Sequence, residues 1–383
     1  MLNMNTFFPK TPPLKSFKTK AKSLNLLSNI ASSLPKLLLT NKVQPTVDYL
    51  DRNALSVNKL FLNKNTKEIN LAMSHLSFIA HAYIWGGAKP NSVLPEVISK
   101  PWVKISNYIG RPPILSYASY CLDNWYKIDK NEPISLDNVA LINNFLGGVD
   151  EDWFVTIHVC IEDAATDAII AADNLSKLNE DNKVSEFSSE LRKIIQSLRR
   201  VNEIFSKMPD KCDPYIYYHR VRPYIFGTKD NPDLKKGLIY ENQFDNKPQF
   251  FRGETGAQSS IIPFLDGALG IEHTNDNLRP YLNEMRDYMP PSHRKMIERV
   301  EKRSKAKIYI NKSKKLVKEY NDCLEEIRRF RAQHLEYAAS YIHKQSQIKN
   351  PFGTGGSTIR GTGGTPFMKY LKKHRDETGK QKV

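Results

Sequence analysis

A histidine and an arginine lie three residues apart in the segment RRFRAQHLEYAASY, at His334 and Arg331. Apolar and aromatic residues recur around them every three or four positions, which predicts a helix with both side chains on its apolar face. An imidazole on a helix can bind haem iron from one side, and an arginine one turn away can pair with a haem propionate. A core histidine that hydrogen-bonds a neighbour gives the same pattern, so the spacing leaves both interpretations open.

A second histidine, His158, lies in the segment WFVTIHVCIEDAATDAIIAADNLSKL. Helical spacing puts it on the apolar face with Phe154 and Ile161, so it is also predicted to point inward. One of the two histidines can then bind iron while the other lines the substrate side; two axial histidines would instead suit electron transfer. The sequence disfavours non-haem iron, because no helix carries a Glu-x-x-His or a two-histidine, one-carboxylate grouping.

A tyrosine and an arginine four residues apart, Tyr218 and Arg222, lie in the aromatic and basic segment DPYIYYHRVRPYI. On an α-helix they share a face, and together they suit an α-carboxylate, because arginine offers two parallel donors and tyrosine adds a hydroxyl. A surface arginine beside an ordinary aromatic residue is the alternative. Asp266 follows an apolar run, and its role as a partner of a buried arginine is left open.

The elements that must position these residues are predicted to be helices. Strand signals are few and short, and the chain lacks the alternating strand and helix pattern of an α/β protein, which indicates an all-α fold. Gly86 and Gly87 end the first strong helical pattern, which begins at Thr66. The further predicted helices cover residues 114–126, 153–178, 184–207 and a long segment that ends near Gln347.

Turn-rich and glycine-rich segments predict how the chain is divided. Residues 1–45 are expected to be a basic, disordered tail, residues 46–148 a smaller N-terminal domain, and residues 149–348 a larger helical domain that contains both candidate haem histidines. Residues 349–365 contain GTGGS and GTGGT. A flexible active-site flap or a plain linker is favoured over a phosphate-binding loop, because no Gly-Lys-Ser/Thr follows. Residues 366–383 are predicted to form a short helix and a basic tail.

The composition excludes several classes of protein. The net charge of +16 is concentrated at the two ends: residues 1–47 hold seven lysines and no acid, so a basic nucleic-acid groove is not indicated. No apolar run is long enough to cross a membrane. The cysteines are scattered without a C-x-x-C motif, which favours reduced packing residues in a cytoplasmic protein. They are Cys121, Cys160, Cys212 and Cys323.

Several longer motifs resemble the indoleamine 2,3-dioxygenase family. They include FRGETGAQSSIIPFLDGALGIEH, MRDYMPPSHRKMIE, RRFRAQHLEYAASYI and GTGGTPFMKYLKKHR, with HLSFIAHAYIWG and RPPILSYASYCLDNWYK nearer the N-terminus. The resemblance covers Pro45–Arg375, and the motifs follow the family's order and spacing. It implies an all-α fold, a haem b cofactor, and a dioxygenase that acts on L-tryptophan with O₂.

The resemblance also assigns roles around the haem. His334 matches the proximal ligand of the iron, and Arg331 matches the arginine that contacts a haem propionate. Thr255 and Gly256 match the loop that passes over the opposite haem face.

Further roles concern the substrate. Arg222 matches the arginine that binds the substrate carboxylate, and Phe154 matches an aromatic residue that packs on the indole. Tyr117 and Cys121 match the positions where the N-terminal domain closes the indole pocket. Thr362 of GTGGT matches the flap threonine that meets the amino-acid end of the substrate, although the earlier GTGGS motif offers a second threonine.

The chain departs from the vertebrate members of that family at the pocket. They carry serine at the position of His158 and phenylalanine at those of Tyr217 and Tyr218. Histidine at the first position, and tyrosine four residues before Arg222, resemble the related tryptophan 2,3-dioxygenases. There the histidine accepts a hydrogen bond from the indole N–H and the tyrosine helps to hold the carboxylate. We therefore expect a site that favours L-tryptophan over substituted indoleamines.

These observations predict a monomeric, cytoplasmic haem enzyme that converts L-tryptophan to N-formyl-L-kynurenine, with His158 and Arg222 as its catalytic residues. O₂ is the co-substrate, and an electron donor keeps the iron ferrous. Neither a nucleic acid nor a membrane is expected as a partner. The alternatives are a related oxygenase that acts on a tryptophan derivative in secondary metabolism and a haem-binding sensor without catalysis.

Overall fold

The computed structural model describes residues 6–179, 181–274, 278–311, 313–348 and 367–383. Helices dominate these ranges, which confirms the all-α class. No helix in the described part of the chain is both long and apolar enough to cross a bilayer.

The N-terminal part is organised around one buried helix, α5. Its first turn is capped by Asn65, whose side-chain oxygen accepts the Lys67 N–H at 3.1 Å. From residue 68 onward α5 is almost entirely buried, as expected for a helix that is packed on all sides by neighbours such as α1 and α6. The helices of this part are α1 (Lys22–Ser32), α2 (Leu34–Leu39), α3 (Val43–Asp48), α4 (Leu60–Asn63), α5 (Thr66–Trp85) and α6 (Glu96–Ile109).

The remaining helices form a second packed body. α9 packs against α7, α8 and α16, and the C-terminal helix α17 packs along α16. The helices are α7 (Val149–Ala164), α8 (Thr166–Leu175), α9 (Val184–Ser206), α10 (Met208–Lys211), α11 (Pro214–Ile216), α12 (Ile261–Leu269), α13 (Leu278–Met285), α14 (Pro291–Arg303), α15 (Ala306–Ile310), α16 (Lys314–Tyr337) and α17 (Phe367–Lys380).

Strands occur only as short pairs within the described ranges. β1 (Val93–Leu94) pairs in parallel with β4 (Ile239–Tyr240), and β2 (Trp125–Lys127) pairs antiparallel with β3 (Val139–Leu141). The first pair joins two distant parts of the chain.

Irregular helical turns are concentrated near the residues that the sequence singled out. The π-helical segments are Ala118–Leu122, Tyr217–Val221 and Ala338–His343. Such turns are rare and are often found at functional sites. The 3₁₀ segments are Arg222–Ile225, Pro232–Leu234, Phe244–Asn246, Gly256–Gln258, Arg286–Tyr288 and Gln345–Gln347.

The disordered tail predicted for residues 1–45 is wrong for residues 6–45. Helices α1, α2 and the start of α3 lie in this range, and Leu24, Leu27 and Ile30 are buried in the core. The chain before α1 is also held, because Glu68 of α5 accepts the backbone N–H of Lys18 at 2.6 Å. The spacing of the apolar residues predicts this helix better than the many lysines predict disorder, because the lysines of this range are all exposed and leave the apolar residues free to pack in the core.

The helix predicted over residues 114–126 is also wrong, apart from a single π-helical turn. The Leu115 N–H donates to Nε2 of His81 at 3.0 Å, and the Tyr117 N–H donates to Oε1 of Gln258 at 2.9 Å. Side chains from elsewhere in the fold thus take the donors that a helix would use, and tertiary contacts override local propensity.

Two large apolar cores match the two bodies only approximately. The first core contains residues from 8 to 160 and also takes in residues between Tyr224 and Tyr240. The second contains residues from Trp153 to Tyr341 and also Phe7. The boundary near residue 148 therefore stays a prediction, and the predicted flap at 349–365 lies outside the described residues.

Candidate active site

A cavity of about 600 Å³ lies within the second body, bordered by α7, α9, α12 and α16. Aliphatic and aromatic side chains form much of its wall, as is usual for a site that encloses a cofactor or small ligand. The residues of its wall that were predicted from sequence are Tyr117, Phe154, His158, Arg222, Thr255, Gly256, Arg331 and His334.

His334 lies near the C-terminal end of α16, after the buried residues Leu324, Ile327 and Arg331 on the same face. Its ring lines the cavity, and no group in the described part of the chain forms a hydrogen bond with it. Its pKa is lowered to about 4, mainly by burial and to a smaller extent by the nearby His158. The imidazole is therefore neutral near pH 7, with a lone pair that can bind a metal.

His158 lies on α7 and lines the same cavity. Its Nδ1 donates to the Phe154 carbonyl at 2.7 Å, and burial lowers the pKa of the ring. Because Nδ1 carries the proton in this neutral tautomer, Nε2 is a hydrogen-bond acceptor. The ring can thus accept a hydrogen bond from a ligand N–H.

Aromatic rings pack around His158. The Phe154 ring centroid lies 4.5 Å from that of His158 and 4.6 Å from that of Tyr217, and the Tyr117 ring meets His158 edge-on at 6.0 Å. Tyr117, Phe154 and Tyr217 all line the cavity. They form a wall with flat apolar faces, which suits a planar aromatic ligand.

Arg222 is fully buried (0% exposed) and lines the cavity. Its guanidinium carbon lies 5.1 Å from the centroid of the Tyr218 ring and 4.6 Å from that of Phe226. The aromatic rings hold the guanidinium in place by cation–π contacts. A buried guanidinium at a cavity wall is suited to binding a carboxylate.

The predicted partner of Arg222, Tyr218, does not line the cavity in the described structure, whereas Tyr217 does. The Arg222 N–H donates to the carbonyl of Tyr217, which closes a π-helical turn. On such a turn residues five apart lie on one side, so Tyr217 rather than Tyr218 accompanies Arg222 at the cavity wall. The predicted role of Tyr218 in carboxylate binding is not tested, but its ring packs behind the arginine.

The loop with Thr255 and Gly256 borders the cavity and is held from behind by Gln258. The Gln258 side chain donates to the Gly253 carbonyl at 2.8 Å and accepts the Tyr117 N–H at 2.9 Å. Thr255 caps the 3₁₀ turn that follows it. Gln258 was not singled out from the sequence, where a glutamine in a loop gives no distinctive signal.

Arg331 reaches the cavity on the side of α17. One guanidinium nitrogen donates to Oδ2 of Asp266 at 2.6 Å, and the other donates to the hydroxyl of Thr378. Beside them, the rings of His273 and His374 stack with centroids 4.1 Å apart. Asp266 is thus the partner of a buried arginine, the role that the sequence left open. Propionate binding by Arg331 stays a prediction.

Two buried carboxyl groups were missed by the sequence analysis. Glu254 lines the cavity, and burial raises its pKa to about 8. Glu162 accepts a hydrogen bond from the Ser259 hydroxyl at 2.7 Å, and burial raises its pKa to about 7. An acidic residue in the small-residue segment GETGA was the only sequence signal for Glu254.

Two other predicted substrate residues are not among the described residues of the cavity wall. Cys121 is buried but is absent from the described cavity wall, and all four cysteines are free thiols. Thr362 lies outside the described residues. Their roles remain predictions.

Known proteins resemble this chain over nearly its whole length. Indoleamine 2,3-dioxygenase 1 of Rattus norvegicus is 34% identical over 92% of this chain and 88% of its own length. Indoleamine 2,3-dioxygenase of Saccharomyces cerevisiae is 30% identical over 91% of this chain and 85% of its own. A protein named myoglobin from Haliotis madaka is 28% identical over 92% of this chain and 90% of its own.

A family model described as indoleamine 2,3-dioxygenase matches residues 2–381. This match, the identity to the rat and yeast proteins, and the helical cavity with its two neutral histidines agree with one another. The chain therefore belongs to the indoleamine 2,3-dioxygenase family.

Proposed function

We propose that this protein is a haem-dependent dioxygenase that cleaves the C2–C3 bond of the L-tryptophan indole and forms N-formyl-L-kynurenine. Membership of the family supports the general reaction. The observation that carries the specific proposal is one cavity lined by His334, His158 and Arg222, which offers a metal ligand, an acceptor for an N–H and a binding group for a carboxylate.

The cavity residues fit a haem group. His334 is neutral and engages no hydrogen-bond partner within the described residues, so binding iron would leave no other interaction broken. Around it the wall includes Phe205, Phe330 and Val201, which suit an apolar macrocycle, and Arg331 offers a positive charge for a propionate. The chain has no C-x-x-C-H motif, which supports non-covalent haem b.

Haem bound at His334 would supply the redox-active ferrous iron that allows O₂ to react with the indole. The protein's contribution is to bind and orient the substrate. An electron donor would be needed to keep the iron ferrous.

His158 and Arg222 would orient tryptophan at its two ends. The unprotonated Nε2 of His158 accepts a hydrogen bond from the indole N–H, and the guanidinium of Arg222 binds the α-carboxylate. The Phe154 ring packs against the indole between these two anchors. Two polar anchors and one stacking surface fix the position of C2 and C3, which is the main way in which the site can lower the barrier.

The apolar wall also excludes water from the reacting groups. In a dry cavity the hydrogen bond to His158 and the ion pair with Arg222 are stronger than in solvent. An indole methylated at nitrogen would leave the acceptor on His158 without a donor and would therefore bind less well.

The proposal is tested by incubating reduced, haem-loaded protein with L-tryptophan under ¹⁸O₂ and measuring the product mass. N-formyl-L-kynurenine with two labelled oxygen atoms is the expected result. A product with a single labelled oxygen would favour the related oxygenase instead and would overturn the proposed reaction.

A haem protein without tryptophan turnover is the second candidate. It is favoured by one comparison, because a relative of similar length is named myoglobin. Such a protein would bind haem at His334 and bind O₂ reversibly, but the ¹⁸O₂ experiment would yield no oxidised tryptophan. The buried Arg222 on the cavity wall favours the dioxygenase, since a simple oxygen carrier has no need of a carboxylate-binding group.

A further inference from the structure

Three side chains that can bind a metal ion lie together beside the C-terminal helix. His273 follows α12, and His374 and Glu377 lie on α17. They offer two ring nitrogens and a carboxylate oxygen, and these ligand atoms all lie within 4.8 Å of one another. Two imidazoles and one carboxylate are a ligand set found in zinc sites.

The group brings together two segments that are distant in the chain. His374 and Glu377 are three residues apart on α17, so their side chains lie on the same side of the helix. His273 comes 104 residues before Glu377, from the loop after α12. A metal ion bound by all three would therefore crosslink α17 to that loop, which is what structural metal sites do.

The ring of His273 is held between two carboxyl groups. Its Nδ1 lies 2.9 Å from Oε2 of Glu377, and its Nε2 lies 3.3 Å from Oδ2 of Asp266. A histidine that binds a metal through one nitrogen commonly donates the N–H of the other to a carboxylate, which fixes the tautomer and the direction of the ring. Asp266 is placed to accept this hydrogen bond when Nδ1 binds a metal.

The carboxyl group of Glu377 is also oriented by a neighbour. The Thr274 hydroxyl donates to its Oε1 at 2.7 Å, whereas Oε2 is the oxygen nearest to His273. One oxygen of the carboxylate is thus occupied by a hydrogen bond while the other faces the group. This arrangement suits a carboxylate that binds a metal through one oxygen.

The ring of His374 stacks on that of His273, with centroids 4.1 Å apart and an angle of 12° between the planes. No residue in the described ranges forms a hydrogen bond with its ring nitrogens. A rotation about the soft bond between Cβ and the ring turns the two lone pairs towards one point. Zinc–nitrogen bonds of about 2.1 Å at tetrahedral angles place ligand atoms roughly 3.4 Å apart, so the ligand atoms need to approach only slightly.

Two cations lie close to the group, and neither prevents a metal from binding. The Arg331 guanidinium is 2.6 Å from Oδ2 of Asp266, which compensates its charge. Nζ of Lys373 lies 3.7 Å from Oε1 of Glu377, and the lysine side chain is 33% exposed. Because its chain is long and reaches solvent, the ammonium group can move away when a metal ion takes over the carboxylate.

We propose that His273, His374 and Glu377 bind one Zn²⁺ ion, which links α17 to the loop after α12, while Asp266 orients His273. Water would complete the coordination, as in other zinc sites with three protein ligands. The site is separate from the proposed iron ligand and does not depend on the proposed reaction. It adjoins Arg331, so the ion would also stabilise that edge of the cavity.

The test is equilibrium dialysis of haem-loaded protein, first stripped of loosely bound metal by a chelator, against buffered Zn²⁺. Zinc per chain is then measured by elemental mass spectrometry. We expect one zinc per chain with a dissociation constant below about 1 μM. Less than a tenth of a zinc per chain in the wild type at a free concentration of about 10 μM, where such a site is nearly full, would overturn the proposal.

Variants locate the ion. His273→Ala and His374→Ala should each weaken zinc binding about 100-fold, because each removes one of three protein ligands. His343→Ala, at an exposed histidine, is the matched control and should stay within about twofold of the wild type. A Soret band of normal height verifies that each variant is folded. Wild-type affinity in both His273→Ala and His374→Ala would place the zinc elsewhere and overturn the assignment.

The carboxylate ligand has its own pair of variants. Glu377→Gln should weaken zinc binding by at least about tenfold, whereas Asp376→Asn, at the neighbouring exposed acid of α17, should not. X-ray absorption at the zinc edge, which haem iron does not obscure, should show two imidazole ligands and oxygen at about 2.1 Å in the wild type. A zinc spectrum with fewer than two imidazoles would contradict the proposed ligand set.

The proposed link between the two segments is tested by thermal unfolding of the same haem-loaded proteins. Saturating Zn²⁺ should raise Tm of the wild type by about 3 °C and leave Tm of His374→Ala unchanged, because an ion that binds only the folded state stabilises it. Zinc that binds the wild type without changing its Tm would overturn the link. None of these measurements uses tryptophan, so their outcome is independent of the proposed reaction.

Discussion

The backbone N–H of Arg222 donates to the carbonyl of Tyr217, five residues earlier, and both side chains line the same cavity. This π-helical turn changes which tyrosine accompanies the arginine. On a regular α-helix the residue four positions before Arg222 is on its face, and that residue is Tyr218. Tyr217, rather than Tyr218, therefore shares the cavity wall with Arg222.

Replacing Tyr217 and Tyr218 by phenylalanine, one at a time, distinguishes their contributions to substrate binding. We expect Tyr217→Phe to raise KM for L-tryptophan about fivefold, because it removes a hydroxyl from the cavity near the carboxylate. Tyr218→Phe should leave KM within about twofold of the wild type, since its ring still packs on the guanidinium. Steady-state kinetics of N-formyl-L-kynurenine formation measures both, and a larger effect of Tyr218→Phe would contradict this assignment.

The sequence predicted which histidines point into the protein better than it predicted which tyrosine lies beside Arg222. The helical spacing around His334 and His158 correctly put both rings inside, because α7 and α16 are long, regular helices in that region. The pairing of Tyr218 with Arg222 assumed an α-helical turn. A π-helical turn contains one residue more, so the residue on the same side as Arg222 is five positions earlier instead of four. No pattern in one sequence distinguishes the two kinds of turn.

Other features of the site depend on contacts between distant segments, which spacing does not reveal. Tyr117 is positioned by Gln258, which lies 141 residues later in the chain. Glu254 owes its raised pKa to burial in the folded protein, so its chemical role is invisible until the fold is known. The sequence shows that a glutamate is present at position 254, but it does not show whether its carboxyl group is ionised.

His334→Ala tests the proposed iron ligand. The variant should purify with less than a tenth of the haem of the wild type, because the neutral imidazole is the proposed bond to iron from the protein. His343→Ala is the control, since His343 is an exposed histidine further along the same stretch of chain. Haem content is measured by the Soret band after reconstitution. A full Soret band in His334→Ala would remove the basis for a haem ligand on α16.

His158→Ser tests recognition of the indole N–H. The variant should retain haem, but its preference for L-tryptophan over 1-methyl-L-tryptophan, as a ratio of kcat/KM, should fall by about tenfold. The reason is that the wild-type acceptor is left without a donor by the methylated substrate. Cys160→Ser, on the same helix but away from the described cavity wall, is the control. An unchanged ratio in His158→Ser would argue against hydrogen bonding to the indole.

Asp266→Asn tests the ion pair that holds Arg331. The Asp266 oxygen lies 2.6 Å from the guanidinium, and losing its charge leaves a buried cation without compensation. We expect the haem-free variant to lose roughly 2 kcal/mol of unfolding free energy. A haem propionate would replace the missing charge, so added haem should stabilise the variant more than the wild type. Urea unfolding with and without haem measures both quantities.

The control removes both charges together. A double variant with Asp266→Leu and Arg331→Met should be closer to the wild type in haem-free stability, because it removes both members of the ion pair and leaves neither charge without the other. Equal stabilisation of Asp266→Asn and the wild type by haem would show that Arg331 does not contact a propionate.

His81 should make the fold sensitive to acid, because its ring is buried in a neutral form. Nδ1 donates to the Tyr224 carbonyl at 2.7 Å, and Nε2 accepts the Leu115 N–H at 3.0 Å. Protonation of Nε2 would therefore break the hydrogen bond with Leu115, because two N–H groups would then point at each other. Burial lowers the pKa of the ring to about 4, below the value of about 6.5 for an unfolded chain. The unfolded state therefore binds the extra proton first, and stability falls as the pH drops from 6.5 towards 4.

Between pH 6.5 and pH 5 this one group should account for about 1.5 kcal/mol of lost unfolding free energy, because the unfolded ring is half protonated at pH 6.5 and almost fully protonated at pH 5. His81→Gln keeps a donor and an acceptor but does not titrate, so its urea unfolding free energy should fall less over the same range. His343→Ala retains His81 and should show the full wild-type loss. An identical pH dependence in His81→Gln and the wild type would mean that other buried histidines, such as His75 and His293, carry the effect instead.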